Sequence, residues 1–116
     1  MRTRVFMALT LMLISGCSKK DAPTQSTDPG VTTVDVFTVG NVFSPSFVTI
    51  NVGSTVRFNI TGNPEGHDVT FQTVAGAPQS VPVTINGVAS RTFSTKGTFP
   101  FDCRTHPGMS GSVTVQ

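Results

Sequence analysis

From Val31 onward the chain runs in short apolar alternations broken by Gly, Pro and Asn. Val34, Val36 and Thr38 alternate with Asp35 and Phe37, which predicts a strand with one covered face. Phe47–Val52 reads as a second strand, and Gly53-Ser54 turns it into a third over Thr55–Ile60. Further strands are predicted over Val69–Val74, Val81–Ile85, Ser90–Ser94, Thr98–Cys103 and Ser112–Val115. Asn86-Gly87, between two of them, is a hairpin turn signal. The count is about eight short strands with no helical periodicity. Val, Thr, Ile and Phe supply both the strand preference and the core. The expected fold is all-β, a two-sheet Greek-key β-sandwich. No internal repeat is present, and the long Ala75–Pro82 loop has no legible role.

The N-terminus has a different pattern. Arg2 and Arg4 precede an apolar run from Val5 to Ile14. The run is too short to cross a hydrocarbon core of roughly 30 Å as a helix, and Ser15-Gly16 follow it. Residues 1–16 therefore read as a secretory signal peptide. Leu13-Ile14-Ser15-Gly16-Cys17 resembles the lipobox of bacterial lipoproteins, which implies acylation of Cys17 and a membrane anchor. Each buried acyl methylene adds about 0.8 kcal/mol of membrane affinity, so two or three chains hold stably where one would not. The competing reading is an ordinary signal peptide cut near Gly16. Residues 17–30 comprise the acylated Cys17 and a polar linker, 18–30, that contains Pro23 and Pro29 and reads as a flexible tether spanning at most about 45 Å when extended. The remainder, 31–116, is one domain in a chain of 116 residues.

The formal net charge of +2 depends on Arg2 and Arg4; without them basic and acidic residues balance. Nothing here supports nucleic-acid binding or long-range electrostatic steering. A Cys17–Cys103 disulfide is the simplest pairing for an exported chain, but an acylated sulfur cannot form one.

Cys103-Arg104-Thr105-His106-Pro107-Gly108-Met109 is a C-x2-H-x2-M run, and Gly66-His67-Asp68 lies upstream. The chain has two histidines, His67 and His106, and beyond the N-terminal segment one cysteine and one methionine. Taken singly, each has a bland reading: a small buried cysteine, a gap-filling methionine, a loop histidine. Taken together they form a His2Cys set with a weak thioether, which suits a blue copper electron-transfer site. Zinc tolerates His2Cys as well, but a methionine fourth ligand argues against it.

The domain resembles the cupredoxins, in particular the small type-1 copper proteins of the plastocyanin, pseudoazurin and amicyanin group. The resemblance rests on Phe43-Ser44-Pro45 through Gly53-Ser54-Thr55-Val56-Arg57-Phe58-Asn59, on Gly66-His67-Asp68-Val69-Thr70-Phe71, and on Gly97-Thr98-Phe99-Pro100-Phe101-Asp102-Cys103 through His106-Pro107-Gly108-Met109-Ser110-Gly111. The spacing from His106 to Met109 is most like that of amicyanin. The resemblance implies one type-1 copper ion cycling between Cu(I) and Cu(II). His67, Cys103 and His106 would be its equatorial ligands and Met109 its axial one. The family often has Asn after the first histidine; this chain has Asp68 there and Arg104 after the cysteine. An Asp68–Arg104 contact bridging the two ligand loops is therefore expected, with the Asp68 backbone N–H near the Cys103 sulfur. The chain lacks Trp and Tyr, so Phe58 and Phe101 are expected in the core aromatic places.

His106 and Pro107 are the expected electron-transfer surface, with Gly108 and Phe43–Pro45 completing an apolar patch suited to transient docking. Glu65 reads as a loop carboxylate, with tuning of docking or potential as its other reading. The function implied is single-electron shuttling between extracytoplasmic redox partners such as a c-type cytochrome or a copper or haem enzyme. The protein would be a membrane-anchored, monomeric lipoprotein that turns over no substrate. The alternatives are a copper storage or delivery module, and a cupredoxin-like structural domain.

Overall fold

A computed structural model describes residues 30–62 and 64–116. The signal peptide expected over 1–16, Cys17 and the tether up to Pro29 lie outside the described residues.

The described residues form nine strands: β1 (Thr33–Val39), β2 (Val42–Ser44), β3 (Phe47–Ile50), β4 (Thr55–Ile60), β5 (His67–Phe71), β6 (Val81–Thr84), β7 (Gly87–Thr92), β8 (Gly97–Asp102) and β9 (Ser110–Val115). They make two sheets, one in the order β2-β1-β4-β7 and the other β3-β9-β8-β5-β6. The pairs β1–β4 and β3–β9 are parallel and the others antiparallel, so both sheets are mixed. The result is the expected all-β sandwich. One element was not foreseen: β2 has only three residues and pairs with the end of β1 across Gly40-Asn41.

Period-2 alternation builds the core. Val36 and Thr38 of β1, and Val56, Phe58 and Ile60 of β4, point inward. Phe99 and Phe101 of β8 meet them from the other sheet, with Val113 and Val115 of β9. Phe101 is the hub. Its ring lies edge-on to Phe43 (4.9 Å), Phe58 (5.4 Å) and Phe71 (5.7 Å). Edge-to-face packing at these separations adds about 0.5–1.5 kcal/mol per pair beyond area burial. Phe58 and Phe101 thus occupy the aromatic core, as expected from the sequence. Phe43 also belongs to it, 2% exposed, so it contributes nothing to a surface patch; the exposed aromatic of that segment is Phe47, at 78%.

The Asn86-Gly87 turn differs from expectation. β6 lies beside β5 in the five-stranded sheet and β7 beside β4 in the four-stranded one. The turn therefore carries the chain from one sheet to the other instead of closing a hairpin. The loop before β6 is tied down by hydrogen bonds. The Phe71 backbone N–H donates to Ser80 Oγ, and the Arg91 guanidinium donates to the Gln79 and Ser80 carbonyls.

Candidate metal centre

The alternation that builds the core also aims the site. Phe99, Phe101 and Cys103 follow one another at period 2 on the inner face of β8, so the thiol stands at the end of the aromatic core, 2% exposed. Counting back along β5 from Phe71 and Val69 puts His67 on the same inner face, fully buried. Counting back along β9 from Val115, Val113 and Gly111 puts Met109 there as well, 1% exposed. Three neighbouring strands of the five-stranded sheet therefore deliver three side chains to one end of the sandwich.

The fourth comes from the loop between β8 and β9. The Cys103 backbone N–H donates to the Met109 carbonyl at 2.8 Å, and the Met109 N–H donates to the His106 carbonyl at 3.1 Å. These bonds close residues 103–109 into a tight loop that turns His106 inward. Gly108 supplies its left-handed residue, at φ +92°, which an L side chain adopts only with strain. Gly111 answers a close approach: a Cβ there would meet the Ser46 carbonyl and lie 2.6 Å from the Phe101 ring.

His67 Nδ1 lies 3.9 Å from Cys103 Sγ, and His106 Nδ1 lies 3.7 Å from it. Ligating atoms of His67, Cys103 and His106 all fall within 4.8 Å of one another. The imidazole centroids lie 4.6 Å apart, with the ring planes tilted by 44°. Burial pushes His67 below the ordinary imidazole value; His106 adds to this and Asp68 partly opposes it. His67 Nε2 has no hydrogen-bond partner. The other ring nitrogen, Nδ1, is the one that converges with His106 Nδ1 on the buried Cys103 thiol, and Met109 is buried as well. The donor set fits one type-1 copper ion.

Asp68, next in sequence to His67, is 5% exposed. Its Oδ1 accepts from the backbone N–H of Arg104 (2.9 Å), the backbone N–H of Thr105 (3.2 Å) and the Thr105 hydroxyl (3.1 Å). Its Oδ2 accepts from the Thr70 hydroxyl at 2.7 Å. The Cys103 thiol donates to the same Oδ1 at 3.3 Å. Burial alone would raise the Asp68 pKa, but the donors from Thr70, Thr105 and Cys103 outweigh it and hold the carboxyl below the usual range. The two residues expected to bridge the loops do meet, but through the Arg104 backbone. The guanidinium makes no ion pair with Asp68. Asp68 meets the sulfur through a carboxylate oxygen, where the backbone N–H was expected.

Glu65 gains significance from the fold. Its carboxylate is 3.3 Å from His106 Nε2, at the outer edge of a ring whose side chain is 10% exposed. A lone glutamate in a Pro-Glu-Gly loop gives no sequence signal of this. Pro107 is exposed beside His106.

The fold matches known structures. The domain superposes on pseudoazurin from Methylobacterium extorquens AM1 with a TM-score of 0.59 and 26% identity, covering 72% of this chain and 74% of that one. The reduced Cu(I) form of an amicyanin variant gives a TM-score of 0.62 and 26% identity, covering 72% of this chain and 82% of that one. The chain belongs to the cupredoxin family. A copper-containing nitrite reductase from Thermus scotoductus SA-01 also matches this cupredoxin, with a TM-score of 0.63 and 32% identity over 72% of the chain. The match spans only 22% of that enzyme's length. No family model matches the cupredoxin's sequence, and no curated protein does.

Proposed function

We propose that the protein is a type-1 copper electron-transfer protein, shuttling single electrons between redox partners outside the cytoplasm. The observation that carries this reading is the convergence of His67 Nδ1 and His106 Nδ1 on Cys103 Sγ, with Met109 buried beside them. Bound there, copper would supply a one-electron couple. His67, Cys103 and Met109 are held by strand backbone and a hydrogen-bonded loop, so the site has little freedom to rearrange between oxidation states. That favours electron transfer over copper handover, which needs an openable site. His106 is the ligand whose ring edge lies nearest solvent, and the electron would pass through it and Pro107 to a docked partner.

Catalytic turnover is not part of this reading. A second, catalytic copper would need further imidazoles, and both histidines of the chain are in this one cluster. The match to a fraction of a nitrite reductase therefore speaks for a shared electron-transfer domain. Partners would be soluble or membrane-bound redox proteins, such as a c-type cytochrome or a copper or haem enzyme, met transiently by a monomer. Acylation at Cys17 would hold the domain near a membrane surface.

The test is the visible absorption and EPR spectrum of the chain reconstituted with Cu(II), beside Cys103→Ala. An intense thiolate-to-copper band with narrow copper hyperfine splitting, abolished in Cys103→Ala, is expected. Pale tetragonal copper, or none bound, would defeat the proposal.

A further inference from the structure

The group pressed against the Cys103 sulfur is an anion, and the electron-transfer reading does not use it. Asp68 Oδ1 is 3.3 Å from Sγ, and the side chain is almost wholly buried. Its remaining contacts are all uncharged donors: two backbone amides and two hydroxyls. No lysine or arginine forms an ion pair with it among the described residues. Four such donors stabilise a carboxylate in place, but none cancels its charge. The thiol hydrogen that now links Sγ to Oδ1 leaves when the sulfur becomes a thiolate, the form that ligates metal. A buried carboxylate then stands beside a buried thiolate. Two adjacent anions in a low-dielectric setting repel strongly, and a cation between its ligands relieves that repulsion in proportion to its charge.

We infer that Asp68 is a positioning and tuning residue that biases the site toward the divalent state of its metal. This rests on the proposed function and deepens it. With Cu(II) the ion and thiolate together carry one positive charge, which the Asp68 carboxylate attracts. With Cu(I) they carry none, and the carboxylate gains nothing from them. The oxidised site is therefore favoured and the reduction potential held low. The same oxygen also fixes the backbone of Arg104 and Thr105, so one side chain sets both the shape of the ligand loop and its field. The chemistry is specific to a carboxylate: an amide of the same shape keeps an acceptor for the loop amides but brings no charge.

The experiment is a redox titration of the copper-loaded full chain at fixed pH, wild type against Asp68→Asn, with the thiolate-to-copper band recorded in both. The expected result is a retained band and a raised potential. The Cu(II)-to-Cu(I) affinity ratio should fall at least tenfold, which is about 59 mV for a one-electron couple. Asp68→Ser, a second neutral variant that retains a hydroxyl acceptor, reads the same sign should the amide variant fail to load. Thr105→Val disturbs the same loop while leaving the carboxylate, and should not raise the potential. A retained band with an unchanged or lowered potential in the neutral variants overturns the inference alone. So does a rise in Thr105→Val equal to that in Asp68→Asn, because loop packing would then account for the shift. A wild-type chain without the band overturns the proposed function and this inference with it.

Discussion

Each sheet carries an aspartate with a depressed pKa, and the two are held in opposite ways. Asp35, on β1 of the four-stranded sheet, meets Arg57 of the neighbouring strand through two hydrogen bonds of 2.6 Å and Asn59 at 2.8 Å. Its carboxyl falls from 3.8 to about 2, chiefly through the Arg57 hydrogen bond and then that of Asn59. Asp68, on β5 of the five-stranded sheet, is buried and is served by neutral donors alone. The first charge is cancelled beside itself, on an open face, and can only affect stability. The second is left uncancelled in the interior, where its field reaches the thiol. The same residue type, on strands of one sandwich, is a surface clasp in one sheet and part of the metal site in the other.

The largest effect is expected at the core both sheets share. Phe101 touches Phe43 and Phe58 of the four-stranded sheet and Phe71 of the five-stranded one. Phe101→Ala should cost about 3–5 kcal/mol in chemical denaturation. A loss below about 1 kcal/mol would mean that the two sheets do not depend on one packed centre.

A smaller effect separates the aspartates themselves. Asp68→Ala strips the acceptor from the Arg104 and Thr105 amides, and each unsatisfied polar group costs about 1–3 kcal/mol where it cannot reach water. Asp35→Ala leaves an exposed arginine that water can solvate, so its effect should be much the smaller. Denaturation of the copper-free chain compares the two directly; equal losses would mean that the two carboxylates are held alike.

The smallest effect is the pH response of the Asp35 clasp. A carboxyl whose folded pKa lies below its unfolded value adds stability above the unfolded value and loses it as pH falls through the folded one. Stability of the copper-free chain should therefore decline as pH drops from 3.8 toward 2. Asp35→Asn should flatten part of that decline while leaving the contribution of Asp68, which has the same sign. An unchanged slope would show that the Arg57 pairing is spent on local order alone.

Much of the site was legible because strand periodicity and ligand chemistry agree. Phe99, Phe101 and Cys103 share a face by period alone, and so do His67, Val69 and Phe71. The three-residue steps in Cys103-Arg104-Thr105-His106-Pro107-Gly108-Met109 mark a loop that can turn donors to one point. What failed to read was whatever depended on distant segments. Asn86-Gly87 has the chemistry of a tight turn, but local chemistry does not say which sheet receives the next strand. β2 is too short for any alternation to register. Glu65 and Phe43 are ordinary in sequence, and only their neighbours make one a partner of His106 and the other part of the aromatic core.

Side-chain type and spacing along one chain were enough to set the strand alternation, the all-β sandwich and the identities of the soft donors. Where the Asp68 charge acts follows from long-range folding. Whether a carboxylate meets a guanidinium, a backbone amide or a thiol depends on which loop folds over it, and that loop is thirty-six residues away along the chain.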